Sequence, residues 1–245
     1  MMSALYETDK LLSEYLLFHY GQDDEILPAG GHWPAGMREA LGFPVRTADH
    51  FSPGSVESAL DLGCAVGRTT FELSRQCKRV VGIDFSQAFI AAASALRHGE
   101  VLSYERLEEG HVRAQLTARA PEGVDGSRID FLQGDAMNLP ESLKDFDQVH
   151  AANLLCRLPD PKRLLDRLPS LVKPGGELVL ATPCTWLEEF TPAENWPVSS
   201  TLGWLLESLS PNFEITREAE EPFLIRETAR KFQWSSSLVT VWKRL

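Results

Sequence analysis

From residue 55 onward, short apolar runs alternate with longer stretches in which apolar residues recur at helical spacing. Such runs are typical of buried strands, and the stretches between them are typical of amphipathic helices. The predicted strands cover residues 58–62, 79–84, 128–133, 146–152 and 177–182, and the predicted helices cover residues 68–76, 86–97 and 161–172. Ser86 is expected to cap the second helix, and Pro161 suits the first turn of the third. Strands that alternate with helices imply a parallel sheet.

The segments outside this alternation are predicted to form a cap, an insertion and a sheet edge. Apolar positions fit an N-terminal helix over residues 6–20, which Thr8 or Asp9 would cap. Residues 21–36 and 44–54 are expected to be loops, with a short helix over residues 34–41. The charged insertion 99–126 is predicted to be mostly a solvated helix, with a loop over 121–127, and residues 173–176 are predicted to be a turn. Two further strands, 213–217 and 237–242, are expected to pair antiparallel.

Length and charge narrow the possible functions. The 245 residues suit one α/β domain, with residues 1–54 as a cap and 55–245 as the core. The net charge of −11 argues against nucleic acid, because a chain that follows a phosphate backbone needs a basic face. The one basic cluster, formed by Arg226, Arg230 and Lys231, is too small for that purpose. We therefore expect a small-molecule substrate and a monomer or homodimer.

Targeting and metal signals are absent from the sequence pattern. No apolar run reaches the roughly 18 residues of a membrane span, and residues 1–10 lack a secretory signal pattern. A cytoplasmic protein with no membrane partner is therefore expected. The four cysteines and six histidines show no metal-ligand spacing, so we predict neither a disulfide framework nor a metal.

The first two predicted strands flank a small-residue turn. Residues 59–67 read Ala-Leu-Asp-Leu-Gly-Cys-Ala-Val-Gly, and residues 80–84 read Val-Val-Gly-Ile-Asp. A strand, a glycine turn, a helix and a second strand ending in an acid bind adenosine-containing cofactors. The dinucleotide pattern Gly-x-Gly-x-x-Gly is absent, because Ala65 and Arg68 replace two of its glycines. The turn therefore favours S-adenosylmethionine (SAM), which has no phosphates and needs only the close backbone approach that Gly63 and Gly67 permit.

Ligands of an open α/β sheet lie beyond the carboxyl ends of its strands, and this rule names the candidate cofactor residues. Asp84 can accept hydrogen bonds from both ribose hydroxyls. Asp135 either accepts from the adenine amine or caps the next turn, and Met137 can pack on the adenine face. Asn153 either faces the methyl donor or satisfies a turn. The predicted cofactor-binding set is Asp61, Gly63, Cys64, Ala65, Gly67, Asp84, Phe85, Ser86, Asp135, Ala136, Met137, Asn153 and Leu154.

The flanking segments carry many aromatic side chains beside a few charges, which suits a small polar ring substrate. For any single aromatic residue, core packing is the favoured alternative. These segments also carry specific motifs, among them Thr-Trp-Leu-Glu-Glu-Phe at 185–190 and Ile-Arg-Glu-Thr-x-Arg-Lys-Phe at 225–232. Together with residues 6–10, 14–21, 60–68, 82–86 and 152–158, they make the chain resemble the methyltransferase of ovothiol biosynthesis, a class I SAM-dependent methyltransferase.

The resemblance implies a Rossmann-like α/β fold, with a mostly parallel seven-stranded sheet, helices on both faces and an N-terminal helical cap. It also implies methylation of an imidazole ring nitrogen of 5-thiohistidine, with SAM as donor and S-adenosylhomocysteine (SAH) as product. Arg226, or Arg230 as the less favoured alternative, would then hold the substrate carboxylate in a bidentate fork, and Glu188 or Glu227 would hold its ammonium. The predicted catalytic residues are Tyr15, His19 and Asn153. The predicted substrate-binding set is Tyr15, Phe18, His19, Tyr20, Thr185, Trp186, Glu188, Arg226, Glu227 and Trp234.

Three alternatives remain open at this point. The chain could methylate another small molecule, it could bind SAM without catalysis as a partner protein, or it could be a nicotinamide-dependent dehydrogenase. The missing third glycine argues against the last of these. A nucleic-acid amino-methyltransferase is disfavoured because residues 153–156 read Asn-Leu-Leu-Cys, where such enzymes typically carry Asn-Pro-Pro-aromatic.

Overall fold

The computed structural model describes residues 7–245, which form a seven-stranded sheet, a separate two-stranded sheet and the helices packed against them. The large sheet has the order β5-β2-β1-β6-β7-β9-β8, parallel from β5 to β7 and antiparallel at β9 and β8. The strands are β1 (Val56–Leu62), β2 (Cys77–Asp84), β3 (Leu102–Glu109), β4 (Val112–Ala118), β5 (Ile129–Gln133), β6 (Phe146–Ala152), β7 (Val172–Thr182), β8 (Phe213–Arg226) and β9 (Phe232–Arg244).

Helices cover both faces of the large sheet because successive side chains of each strand point to opposite faces. On one face Leu60 packs with Leu164 and Leu205 of two helices, and on the other Val179 packs with Phe43. The helices are α1 (Asp9–Tyr20), α2 (Asp23–Ile26), α3 (Phe43–Ala48), α4 (Arg68–Leu73), α5 (Gln87–Arg97), α6 (Pro161–Leu171) and α7 (Thr201–Leu209). Within residues 7–245, no helix combines the length and apolar character needed to cross a bilayer.

The sheet and its order confirm the predicted Rossmann-like fold, and the last two strands pair antiparallel as expected. Ser86 caps α5 by accepting a hydrogen bond from the backbone nitrogen of Phe89 at 3.1 Å. Thr8 caps α1, so that helix begins at Asp9. Tyr6, the first residue of the predicted helix, lies outside the described residues, as do residues 1–6 of the segment examined for a signal pattern.

The prediction of a solvated helix over residues 99–126 is wrong. The segment forms an antiparallel hairpin in which Tyr104 pairs with Leu116 and Leu102 pairs with Ala118. These four side chains pack against the cap core, while the polar residues between them, Ser103 and Thr117, are exposed. The polarity therefore alternates with a period of two, which is the strand period, and Gly110 with φ of 52° lets the chain reverse.

Several boundaries in the flanks also differ from the prediction. The expected loop 44–54 contains most of α3, which begins after Gly42, and the expected loop 21–36 contains α2. The short helix over 34–41 is reduced to a single 3₁₀ turn, Arg38–Ala40. Residues 173–176 belong to an irregular start of β7 rather than to a turn, because the register with β6 shifts there. Helix α7 and most of the length of β8 and β9 had no predicted counterpart.

Candidate functional site

A cavity of about 590 Å³ opens at the carboxyl ends of β1, β2, β5 and β6, beneath α1 and α3. Its lining combines strand ends, the glycine turn and residues of the cap. The lining includes Tyr15, Phe18, His19, Phe43, Asp61, Gly63, Cys64, Ala65, Thr69, Asp84, Phe85, Ser86, Asp135, Ala136, Met137, His150, Asn153, Leu154, Arg157 and Ile225. Most of the predicted cofactor residues therefore lie around one cavity.

The glycine turn after β1 is held tightly against β2. The backbone nitrogens of Gly63 and Cys64 both donate to the carbonyl of Ile83, at 2.8 and 3.0 Å. Gly67 has φ of 89°, and a Cβ there would lie 2.6 Å from the ring of Phe131. Gly67 is outside the cavity lining, so its role in the structure is to let the chain start α4 close to β5.

Asp84 connects the end of β2 with the glycine turn. One carboxylate oxygen accepts from the nitrogen of Ala65 at 2.9 Å, and the other accepts from the nitrogen of Ser86 at 2.9 Å. Burial is the largest cause that moves the pKa of Asp84, and it raises that pKa to about 6 although both backbone hydrogen bonds lower it. The acid is thus fixed in place at the position predicted for the ribose hydroxyls.

The segment after β5 forms the neighbouring wall. The nitrogen of Gly134 donates to the carbonyl of Asp84 at 2.9 Å, which ties the two strand ends together. Asp135 accepts a hydrogen bond from the nitrogen of Met137 at 2.8 Å, so the capping interpretation of Asp135 describes one of its contacts. Asp135, Ala136 and Met137 all line the cavity, and the adenine role remains a prediction.

Asn153 follows β6 at the centre of the lining. Its φ is 53°, and its side-chain oxygen accepts a hydrogen bond from the hydroxyl of Ser237 in β9 at 2.7 Å. The residue is therefore both a turn residue and a cavity residue, so the two sequence interpretations of Asn153 do not exclude each other.

Helix α1 covers part of the cavity. Tyr15, Phe18 and His19 line the cavity, and Nδ1 of His19 is buried without a hydrogen-bond partner in the described chain. Burial, together with the nearby Arg68, lowers the pKa of His19 to about 3, so this ring is neutral at physiological pH. Tyr20 lies outside the lining, because its hydroxyl donates to the carbonyl of Val66 at 2.6 Å and ties α1 to the glycine turn.

The structure does not bring Arg226 to the cavity. Its guanidinium forms an ion pair with Glu108 of the inserted hairpin at 2.7 Å, and it donates to the carbonyls of Glu25 and Ile26. Ile225, the preceding residue of β8, lines the cavity instead. Since neighbouring residues of a strand point to opposite faces, a carboxylate fork formed by Arg226 is not consistent with this register.

Other predicted substrate residues also lie elsewhere. Trp186 donates to Thr201 at 3.0 Å and packs edge-on against Trp204, while Glu227 pairs with Lys231. None of the following described residues is in the lining: Thr185, Trp186, Glu188, Glu227 and Trp234.

Sequence reasoning missed two charged or titratable residues of the lining. His150 in β6 is 2% exposed, and its Nδ1 lies 2.8 Å from Oδ1 of Asp61. Arg157, in the 3₁₀ turn after β6, is the only Lys or Arg in the lining of the described cavity. Two features of the sequence could have identified them. His150 is a histidine within a predicted strand, and Arg157 is an arginine shortly after the turn that ends this strand.

The residues present suit SAM. The lining holds the carboxylates of Asp61, Asp84 and Asp135 against the single guanidinium of Arg157. That balance favours a cationic ligand such as a sulfonium that also carries an ammonium. Gly63 in the turn beside Asp84 presents backbone rather than side chain, which is compatible with the nucleoside position that the sequence predicts.

Comparisons with known proteins agree with this geometry. Residues 60–180 match the family described as a methyltransferase domain. The chain is 32% identical over 125 residues to a demethylmenaquinone methyltransferase of Lactococcus lactis, an alignment that covers 50% of this chain and 40% of that protein. Across eight such curated relatives the chain spans between 35% and 55% of their length.

Solved structures show the same fold at low identity. The N-methyltransferase NodS from Bradyrhizobium japonicum, in complex with SAH, aligns with a TM-score of 0.54 and 18% identity over 95% of this chain and 98% of that one. The [4+2]-cyclase SpnF aligns with a TM-score of 0.60 and 18% identity over 98% of this chain and 94% of its own. These similarities describe the fold, and they leave the reaction open.

Proposed function

Residues 60–180 form a class I SAM-dependent methyltransferase domain, and we propose that the protein uses it to methylate a ring nitrogen of 5-thiohistidine. The cofactor of the domain is SAM. Two observations support the choice of acceptor: the resemblance of the flanking motifs, and the aromatic cap residues that line the cavity opposite the strand ends. The second carries the proposal, because it gives a flat ring a place next to the donor site.

The donor is held by residues from four strand ends. Asp84 accepts from the ribose hydroxyls, Asp135 and Met137 receive the adenine, and Gly63 allows the close approach of the amino-acid portion. Asn153 stands between this region and the cap. When bound, SAM supplies an activated methyl group that is transferred in an in-line displacement.

The acceptor occupies the space beneath α1. Tyr15, Phe18 and Phe43 provide apolar and aromatic walls that fix the plane of an imidazole ring. Arg157, as the only guanidinium in the described lining, is the group that binds the acceptor carboxylate, and it takes the role that the sequence had suggested for Arg226. Its guanidinium is held by contacts with the ring of Phe190 and the carbonyl of Cys156.

The protein contributes alignment rather than strong acid–base chemistry. Proximity and orientation can lower a barrier by roughly 7–11 kcal/mol. A free imidazole has a pKa near 6.5, so much of it presents a neutral nitrogen at pH 7. His19 is neutral and offers a hydrogen-bond acceptor without adding positive charge near the ring. Orientation must also keep the ring sulfur, a better nucleophile, away from the methyl group.

Mass spectrometry of the purified protein with SAM and 5-thiohistidine tests the proposal. The expected product gains one methyl group, and fragmentation places it on a ring nitrogen. A methyl on sulfur would contradict the orientation argument, and turnover only with other compounds of a panel would assign a different small-molecule acceptor. SAM binding with no turnover on any panel member would make the protein a non-catalytic binding partner. A reaction without SAM is the control for donor-independent signals.

A further inference from the structure

A buried carboxylate–imidazole pair lies in the floor of the cavity, on the sheet face beneath the cap. Asp61 in β1 and His150 in β6 are direct neighbours in the parallel register. Oδ1 of Asp61 lies 2.8 Å from Nδ1 of His150, and Oδ2 accepts a hydrogen bond from the hydroxyl of Thr70 at 2.6 Å. The two side chains are 1% and 2% exposed.

The hydrogen bond fixes the tautomer of His150. A carboxylate only accepts hydrogen bonds, so Nδ1 of His150 donates to Asp61, and Nε2 keeps a lone pair whenever the ring is neutral. Nε2 is buried and has no partner among residues 7–245, although the ring lines the cavity. A buried polar atom of this kind is normally paired, so Nε2 is expected to take its partner from the cavity, either from an ordered water or from a bound ligand.

The charge around the pair indicates which ligand group that is. Asp84 ends β2 and Asp135 follows β5, at the end of the cavity proposed for the nucleoside, whereas Asp61 precedes the glycine turn in β1, next to β6. A lone pair backed by a carboxylate suits a donor group that carries positive charge. The surroundings of His19 differ, because that ring lies near Arg68 and has no carboxylate partner in the described chain.

We propose that Nε2 of His150, held by Asp61, accepts a hydrogen bond from the ammonium group of the methionine portion of SAM. The pair thereby distinguishes the complete donor from nucleosides that lack the amino-acid tail. This inference rests on the cofactor and does not depend on the identity of the acceptor, so failure of the thiohistidine proposal would leave it intact.

Isothermal titration calorimetry with two ligands tests the contact. The ligands are SAH and the SAH analogue in which hydrogen replaces the ammonium. His150→Phe keeps a planar ring but removes the acceptor, and it should bind SAH about 10- to 100-fold more weakly than the native protein, the range for a hydrogen bond to a charged group. The native protein and His150→Phe should bind the analogue within about twofold of each other, because the analogue has no ammonium group that could donate a hydrogen bond to His150.

His150→Gln is the matched control, since its amide oxygen can reach the position of Nε2, and it should recover most of the SAH affinity. An equal loss for both ligands would show that His150 only shapes the cavity, and an unchanged SAH affinity would remove the contact altogether. Either result overturns the proposal. A fall in turnover with unchanged SAH affinity would do the same and would assign the ring to the acceptor.

Nitrogen-15 NMR of the native protein provides a test that needs no folded Phe variant. With histidine labelled, the Nε2 resonance of His150, assigned by its loss in His150→Gln, should move toward a hydrogen-bonded shift when SAH is added. The analogue should leave that resonance in its unliganded position. Equal movement with both ligands would contradict the ammonium contact.

Discussion

The carboxylate of Asp84 lies 2.9 Å from the backbone nitrogen of Ala65, so the acid at the end of β2 closes the turn that follows β1. Its second oxygen is bound by the nitrogen of Ser86. The protein's own hydrogen bonds therefore join the end of β2 to the turn after β1, and in the proposed donor site the ribose would meet a carboxylate that is already oriented. Because this arrangement buries Asp84, it should affect how the free energy of unfolding depends on pH.

Asp84→Asn should change how stability depends on pH. Burial raises the pKa of Asp84 from 3.8 to about 6, so between these values the folded protein binds a proton that the unfolded chain releases. The native free energy of unfolding therefore loses up to about 3 kcal/mol from this group as the pH rises from 4 to 7. Urea unfolding of the ligand-free proteins should show that the Asn variant gains stability relative to the native protein over this interval. Asp166→Asn, at an exposed position on α6, is the matched control and should show no such dependence on pH. A difference in stability between Asp84→Asn and the native protein that stays constant with pH would contradict the burial of Asp84.

His19→Gln should show the opposite dependence. Burial and Arg68 lower the pKa of His19 from 6.5 to about 3, so the unfolded chain binds the extra proton in this window. The contribution of neutral His19 is complete above pH 6.5 and is lost as the pH falls, by up to about 3 kcal/mol at pH 4. The Gln variant should therefore resist acid better than the native protein does. His111→Gln, at an exposed turn, supplies the baseline, and equal acid sensitivity of the His19 variant and the native protein would show that His19 titrates normally.

Arg226→Ala should destabilise the fold without changing the donor site. The guanidinium is buried, pairs with Glu108 and donates to the carbonyls of Glu25 and Ile26, so it joins the inserted hairpin to the cap. Arg106 also contacts Glu108 and the Glu25 carbonyl, so the carbonyl of Ile26 is the group that loses its side-chain donor when Arg226 is removed. We expect a loss of about 3 kcal/mol in the free energy of unfolding. SAH affinity measured under native conditions should remain unchanged.

Arg230→Ala is the comparison for that experiment, because Arg230 is exposed in the same loop region and should change stability by less than about 0.5 kcal/mol. A stable Arg226→Ala protein with a raised acceptor KM would restore the substrate role that the sequence suggested.

Arg157→Gln should affect the acceptor and spare the donor. Loss of a bidentate contact with a carboxylate is expected to raise the acceptor KM about 10- to 100-fold, while the SAH dissociation constant stays within about twofold. Steady-state kinetics and calorimetry measure the two effects separately. Arg163→Gln, on the exposed side of α6, should leave both values at the native level. An unchanged KM in Arg157→Gln would mean that the acceptor lacks a carboxylate or binds it elsewhere.

The residues proposed for the donor side could be grouped from the sequence because local patterns determine where they lie. The turn at 63–67 and the acid at 84 occupy fixed positions relative to two apolar strands, and strand ends of a parallel sheet converge. Residues 15, 18 and 19 were predicted from the mixture of aromatic and polar side chains in the flanking segments, and helix α1 brings them together because residues three and four apart share one face.

The acceptor side was less predictable because it depends on register and on contacts between distant segments. The extent of β8 decides that Ile225 rather than Arg226 faces the cavity, and nothing local in the sequence states this. Glu108, the partner of Arg226, lies on the inserted hairpin. The many charged residues of this segment obscured the alternation of polar and apolar positions that is typical of strands. His150 stood alone in an apolar run, and only the pairing of β6 with β1 brings it to Asp61.

Calorimetric titration of SAH into the native protein and into Asp84→Asn tests the central claim most directly. The account predicts saturable binding of one SAH per native chain and affinity at least about tenfold weaker in the variant, because the ribose hydroxyls lose a charged acceptor. Absence of binding to the native protein, or equal affinity in both proteins, would contradict the assignment of this cavity to the methyl donor.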